Sequence, residues 1–203
     1  MTIRKGQDWG TTGELGAHDP IVSSDRAMAE LFSFERGELN GPTLVGLVGG
    51  DLARTVGATG TADDLRLGAR TTLPIDLGIV SIDGSDHVMV ASLVVRRAGW
   101  RGEVTVVMNA SFLGSWNVAP KGHPNDGRFD VITAEMSLAN RWKARSRLAT
   151  GTHVPHPDIE MRRLKSGSVV PDRRARVWID GRLIGPASRV EFVVQPDAAR
   201  VVI

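Results

Sequence analysis

From Leu73 to Ile203 the chain is a succession of short apolar runs, each stopped by glycine, proline or an Asp-Gly corner. Runs of that length, rich in valine and isoleucine, build strands, because helices need longer stretches with a 3.6-residue period. Leu73 to Ile82 is such a run, and Asp83-Gly84 after it is a strong hairpin turn. His87 to Arg96 reads as the return strand, Gly99 and Gly102 bracket a turn, and Glu103 to Met108 goes back. The centre of the pattern is Thr105 to Val131, TVVMNASFLGSWNVAPKGHPNDGRFDV. Its apolar start ends at Asn109-Ala110, and an irregular passage carries Gly114 and Trp116. The segment 119–127 then holds Pro120, Gly122, Pro124 and the Asn125-Asp126-Gly127 corner. Such density of turn residues specifies a fixed loop between strands. Phe129 to Ala134, Arg176 to Asp180, Arg189 to Gln195 and Arg200 to Ile203 complete the series. The expectation is an α+β, predominantly β fold: an antiparallel β-sandwich from about Leu73 to Ile203 with two short helices.

The helices are expected at 23–36 and 137–149. Ser23 or Ser24 caps the first, Ala27, Met28, Leu31 and Phe32 share a face, and Gly37 ends it. Ser137 caps the second and Gly151 ends it. Residues 1–42 read as an N-terminal arm with the short helix, and 43–203 as the sandwich domain. Thr43 to Val48 is a strand that runs into Gly49-Gly50-Asp51-Leu52-Ala53-Arg54. A strand, two glycines and a helix start can hold a phosphate through free amides and the helix dipole. The same order also describes an ordinary strand-to-helix turn, and no G-x-x-x-x-G-K-[ST] or G-x-G-x-x-G loop is present.

Composition excludes several classes. There is no cysteine, so disulfides and thiolate metal sites are ruled out and a cytoplasmic location is the default expectation. No apolar run approaches the roughly 20 residues that span a bilayer. The basic pair Arg4-Lys5 is not followed by an apolar segment, so it does not read as a secretory signal. Charge is uneven: residues 1–89 hold 7 basic and 13 acidic residues, net −6, while 90–203 hold 18 basic and 10 acidic, net +8. The basic half reads as solvated strand faces, or as a face toward an anionic membrane surface or nucleic acid.

Several of these segments, in order, resemble the bacterial diacylglycerol kinase and lipid kinase family of the NAD kinase-like superfamily. Asp51-Leu52-Ala53-Arg54 is similar to the family's N-D-F-A-R segment, with Gly50 where asparagine usually stands. Leu73-Pro74-Ile75-Asp76-Leu77-Gly78 resembles its V-D-[LI]-G strand. Asn125-Asp126-Gly127 resembles a loop that holds structural magnesium in some members, and Gly151-Thr152-His153 with His156-Pro157 resembles its G-x-H…H-P corner. Trp178-Ile179-Asp180-Gly181 is similar to its V-D-G-E turn, with Arg182 in place of the glutamate. Phe192 to Pro196 and Ala199 to Val202 resemble its closing strands. The resemblance spans roughly 44–203 and implies the second, β-sandwich domain of such kinases. It further implies Asp180 as general base, Gly49, Gly50, Asp51 and Asp76 near the nucleotide phosphates, and Asp51, Asp76 and Asp126 as magnesium ligands.

The family's first half carries a G-G-D-G-T loop on an α/β nucleotide-binding domain. Only 42 residues precede Thr43, against about 100 for a usual domain. Gly49-Gly50-Asp51-Leu52 aligned to that loop would place a side chain where backbone must approach phosphate; the N-D-F-A-R alignment continues further, to Gly57. Magnesium is therefore an expected cofactor, whereas the missing loop speaks against ATP. Each acid also has a plain reading: Asp180 as a hairpin aspartate, Asp126 as a turn residue, Asp76 as a buried group needing Arg54 or a metal beside it. His153 and His156, flanked by prolines, suit a corner better than a metal site. Three functions follow: a lipid- or ligand-binding relative with weak or no kinase activity, a phosphotransferase completed by a dimer mate or partner chain, and a sandwich interaction module. The expected partners are a lipid or phosphorylated small molecule, a peripheral membrane surface and a second copy in a homo-oligomer. Nucleic acid is not expected.

Overall fold

The computed structural model describes residues 9–98, 102–152 and 156–203. Gly99, Trp100 and His153 lie outside them, as do the side chains of Trp142, Lys143 and Arg145. In chain order the first elements are β1 (Thr11–Gly13), β2 (Ile21–Val22), α1 (Asp25–Ala29), β3 (Ser33–Glu35), β4 (Glu38–Asn40), β5 (Val45–Leu47), α2 (Asp51–Val56), α3 (Ala62–Leu65) and β6 (Arg70–Ile82). Then come β7 (Ser85–Met89), β8 (Ser92–Arg96), β9 (Val104–Met108), β10 (Phe112–Leu113), β11 (Trp116–Asn117), β12 (Phe129–Ala134) and α4 (Leu138–Leu148). The chain closes with β13 (Ile159–Leu164), β14 (Ser166–Val169), β15 (Ala175–Ile179), β16 (Arg182–Ala187) and β17 (Val190–Val202).

Two sheets form the sandwich. One has seven strands, in the order β1-β6-β17-β5-β2, with β7 on β6 and β14 on β17. The other has six, β13-β12-β9-β8-β15-β16, all antiparallel. Among the described residues only the contacts of β5 with β17 and β2 are parallel. The inward positions of both sheets, among them Val80, Leu93, Val107, Phe129, Val177 and Phe192, make the first core. Phe129 and Phe192 meet edge-on across it, centroids 6.2 Å apart. The long strands β6 and β17 extend past this core into a second one, where Ile75, Leu77 and Val201 pack under Met28 of α1 and Leu52 of α2. Each such fully buried aliphatic side chain contributes roughly 1.5–3 kcal/mol. Gly78 lets the core close on β6, because a Cβ there would sit 2.7 Å from the Met89 methyl and 3.1 Å from Phe129 and would make both shift. Among the described residues no helix is long and apolar enough to cross a membrane.

Four expectations are corrected. The segment 23–36 is helical only from Asp25 to Ala29; the chain then turns into the β3–β4 hairpin through Arg36 (φ 55°) and Gly37 (φ 86°). Phe34 and Leu39 face each other there at strand spacing, which overrides helix continuation. The segment 1–42 is more than an arm, since β1 pairs with β6 and β2 with β5. The run His87 to Arg96 is two strands: the chain leaves one sheet at Met89 and enters the other at Ser92. Finally, the two closing runs are one strand, β17, with a bulge between Gln195 and Ala199. The helix expected at 137–149 is α4, capped by Ser137, whose Oγ accepts from the Asn140 amide at 3.3 Å.

Candidate functional site

Asp180 sits at the first corner of the β15–β16 hairpin, with φ 47°, followed by Gly181 at φ 76°. Two successive left-handed residues make the turn whose twist matches antiparallel strands, and Asp-Gly is a favoured pair for it. The side chain reaches across to the sheet crossing. Its oxygens accept from the amides of Val90 at 2.8 Å, Ala91 at 2.7 Å and Ser92 at 2.9 Å, while its own amide donates to the Ser92 carbonyl at 2.9 Å. This explains why the chain breaks between β7 and β8: the amides a continuous strand would give to a neighbour are held by one carboxylate. Burial pushes the Asp180 carboxyl up to about 7, against the three amides that lower it, and the charge of Asp25 adds to the rise.

Asp25 stands in the first turn of α1. In the structure it is buried, and it caps the N-terminus of α2 rather than of its own helix. Its oxygens accept from the amides of Asp51 at 2.6 Å and Leu52 at 2.9 Å. Burial pushes its carboxyl up, opposed by those amides and reinforced by the charge of Asp51. Gly49 and Gly50 serve this junction. A Cβ on Gly49 would lie 2.5 Å from the Ser23 carbonyl, and one on Gly50, at φ 104°, would lie 2.6 Å from the Asp25 carboxylate. The Asp51 side chain turns the other way and accepts from the Gly114 amide at 2.8 and 3.0 Å. Burial pushes its carboxyl up as well, opposed by Gly114 and Arg54.

Asp76, fully buried in β6, belongs to a different network. It accepts from the Gly127 amide at 2.6 Å, the Asp197 amide at 2.9 Å and the Asn125 Nδ2 at 3.2 Å. Asp197 lies in the β17 bulge, so the bulge exists where Asp76 needs a donor. Burial pushes the Asp76 carboxyl up, ahead of the amides of Asp197 and Gly127 that lower it. Arg54, offered from the sequence as its partner, instead stacks on Phe112 at 3.9 Å and donates to the Gly114 carbonyl at 2.8 Å. Asn109 ties the two regions together through its Nδ2, which donates to the carbonyls of Asp76 and Val90, both at 2.8 Å. Asp126 caps its own turn, accepting from the Arg128 amide at 3.0 Å, and pairs with the Arg163 guanidinium. His156 fixes a corner, its Nδ1 accepting from the Asp158 amide at 3.1 Å.

Asp25, Asp51 and Asp180 thus form one electrostatically coupled group, while Asp76 and Asp126 stand in separate networks. Among the described residues no three or more histidine, aspartate or glutamate side chains gather as metal ligands. Asp76 is saturated by amide donors, and Asp126 already has a guanidinium as its cation. These donor sets fit neither a magnesium ion shared by Asp51 and Asp76 nor a separate one on Asp126.

Beside Asp180 opens a cavity of about 320 Å³, walled by Arg26 of α1, Glu30 just after it, Phe34 of the β3–β4 hairpin, His87 of β7 and Arg182 of β16. Glu30 bridges Arg26 at 2.8 Å and Arg182 at 3.8 Å. Burial and the charge of Arg182 push the His87 imidazole down, which favours its neutral form. The lining is mixed: Phe32, Phe34 and Val88 are apolar, Arg26, Glu30, Glu35, Asp86 and Arg182 are charged, and Asp180 is the acid near neutrality.

Comparison with known proteins agrees with this architecture. Solved structures with the same fold include a putative diacylglycerol kinase from Bacillus anthracis str. Sterne. It has TM-score 0.60 and 12% identity, with 80% of this chain and 69% of that one covered. A second structure from the same source, a diacylglycerol kinase, has TM-score 0.54 and 13% identity, with 80% and 67% covered. No curated protein matches the chain. Residues 74–203 match the family described as the YegS C-terminal NAD kinase beta sandwich-like domain. The strands from Pro74 onward and this match over most of the chain place it in that lipid kinase-like family, as its C-terminal domain.

Proposed function

We propose that this chain is a ligand-binding relative of the lipid kinases that takes a lipid or phosphorylated small molecule at the Asp180 cavity and transfers no phosphate on its own. One observation carries the reading. The first amides of α2, where strand, glycines and helix start would hold a phosphate, donate to Asp25. Phosphoryl transfer is mainly positioning and charge stabilisation, so it depends on amides and cations gripping the donor phosphates. A resident carboxylate takes up the donors and repels an incoming anion. The cavity supplies both parts an amphipathic ligand needs, with Phe32, Phe34 and Val88 as apolar wall and a polar lining of Asp180, Arg26, Arg182, Glu30, Glu35 and Asp86.

A second reading is an active phosphotransferase completed by a dimer mate or partner chain. It is favoured by the Asp180 carboxyl lying near 7, the range in which a carboxylate serves as a general base. Isothermal calorimetry with ATP and magnesium separates the two. The first reading expects no heat of binding in the isolated chain, together with retention of a fluorescent lipid that Phe34→Asp releases. Micromolar ATP binding, or label transfer to a lipid that disappears in Asp180→Asn, would establish the second.

A further inference from the structure

We propose that the chain forms a two-fold symmetric homodimer by pairing β13 with the β13 of a second copy. β13 is one end of the six-stranded sheet, and among the described residues no strand lies on its outer side. It is six residues long, runs against β12 in unbroken register and contains neither proline nor glycine. Other sheet ends are blunted. β1 and β2 are three and two residues long. β16 carries Pro186, and its register with β15 shifts. An unblunted edge presents a row of amides and carbonyls to an incoming strand.

Charge and symmetry together select a second copy as the partner. Glu160, Arg162 and Leu164 lie on the inner face of the sheet, and Met161 and Arg163 on the outer one, where Arg163 pairs with Asp126 and Asp130. Charges on an edge ordinarily keep a strand away. Here they alternate in sign, and one register lets a second copy match them. Two copies of an edge strand can join antiparallel in one continuous sheet only about an axis perpendicular to it. Facing residues then share a face, so the axis passes beside a residue that faces its own copy. Centred on Met161, Glu160 of each chain faces Arg162 of the other, and the two Met161 side chains, 38% exposed, meet. Every neighbouring centre brings like charges face to face. Glu160 meets Asp158 when Ile159 is the centre, Glu160 or Arg162 or Arg163 meets itself, and Arg163 meets Lys165 when Leu164 is the centre. Like charges directly opposite destabilise a ladder, and opposite ones stabilise it. Within the chain Glu160 and Arg162 already bridge at 2.6 Å, with both side chains more than half exposed, so a second copy extends a formed pair into a network of four. β15, which leads into Asp180, stands four places from β13 in the sheet order. The mate docked at β13 therefore leaves the Asp180 cavity to each chain alone.

The test is sedimentation velocity of the full chain. The native chain should be a dimer. Glu160→Arg and Arg162→Glu should each raise its dissociation constant about tenfold or more, because each substitution acts twice across the axis. Mixing the two variants should restore the dimer, since one chain then presents two cations where the other presents two carboxylates. Met161→Cys reads the register. The native chain has no cysteine, and residues facing across an antiparallel pair stand roughly 5 Å apart, within reach of a disulfide. Oxidation of that variant should give a covalent dimer. All three positions are exposed, and circular dichroism confirms the fold of each variant. A native chain that stays monomeric at millimolar concentration overturns the proposal. So does a dimer that neither charge substitution weakens, a loss that mixing fails to restore, or a Met161→Cys chain that does not cross-link. The outcome is independent of the cavity reading, which is scored by calorimetry and lipid retention.

Discussion

The Asp25 carboxylate accepts the Asp51 amide at 2.6 Å, from a position 26 residues earlier in the chain. With the bond to Leu52 it closes a helix of six residues, too short to be stable by propensity alone. Asp25→Ala should therefore cost about 2 kcal/mol, the upper range for loss of an N-cap acceptor. Urea denaturation measures it. Hydrogen exchange should show the loss concentrated at the amides of Asp51 and Leu52. An unchanged midpoint, or protection lost elsewhere, would remove Asp25 from this role.

Gly50 has a backbone conformation and a neighbour that both demand glycine. Gly50→Ala adds positive-φ strain and drives a methyl group into the Asp25 carboxylate 2.6 Å away. At Gly57, also at positive φ (76°), a Cβ would meet nothing within 4 Å. Gly57→Ala should cost about 1 kcal/mol from backbone strain alone, and Gly50→Ala should cost about twice that or more. Equal losses in parallel denaturation curves would mean that the Asp25 contact adds nothing.

The sandwich was legible because its signals are local. Asp83-Gly84 and Asp180-Gly181 set their own turns, and Ala175, Val177 and Ile179 at alternate positions of β15 mark its inner face without knowledge of their partners. The ends of α1 were not legible, because Met28 and Phe32 fit a helical face while Phe34 and Leu39 fit a strand, and only packing decides between them. The break at Val90-Ala91 was hidden because its cause, Asp180, lies about 90 residues away in the chain. The site residues were singled out by resemblance, but their partners were not. Asp25, Asn109, Asp197 and Arg163 act through tertiary contacts with no sequence period. The one available signal for Asp197 was its place between two apolar runs in Pro196-Asp197-Ala198, which spell a bulge inside a single strand.

Asp76 joins β6, the loop at 124–127 and the β17 bulge through three hydrogen bonds. Asp76→Ala leaves the buried Gly127 amide and the half-buried Asp197 amide without an acceptor. A loss of about 3 kcal/mol is expected, from two unsatisfied donors at roughly 1–3 kcal/mol each. Asp126→Ala removes a more peripheral ion pair and should cost about 1 kcal/mol or less. Thermal denaturation of both variants checks the ranking, and magnesium should raise the midpoint of neither the native chain nor Asp126→Ala. A magnesium-dependent rise in the native chain that Asp126→Ala abolishes would restore the loop as a metal site.

The folded chain should lose stability as pH rises through neutrality because of Asp180. Its carboxyl titrates near 3.8 when unfolded and is pushed up to about 7 in the folded chain. Between those values the folded state holds a proton that the unfolded state has released. Raising the pH therefore favours unfolding. The contribution is fully present below the unfolded value and is lost as pH rises through about 7. Burial is the main cause, and the Asp25 charge adds to it. Asp25→Asn should accordingly lower the Asp180 midpoint, while Asp180→Asn should flatten the dependence of the melting temperature on pH from about 4 to about 7. Carbon-13 NMR of the labelled carboxyl measures the midpoint directly. An Asp180 titration near 4 in the native chain would mean that the amides of Val90, Ala91 and Ser92 outweigh burial, and it would remove the acid-base argument for an active enzyme at this turn.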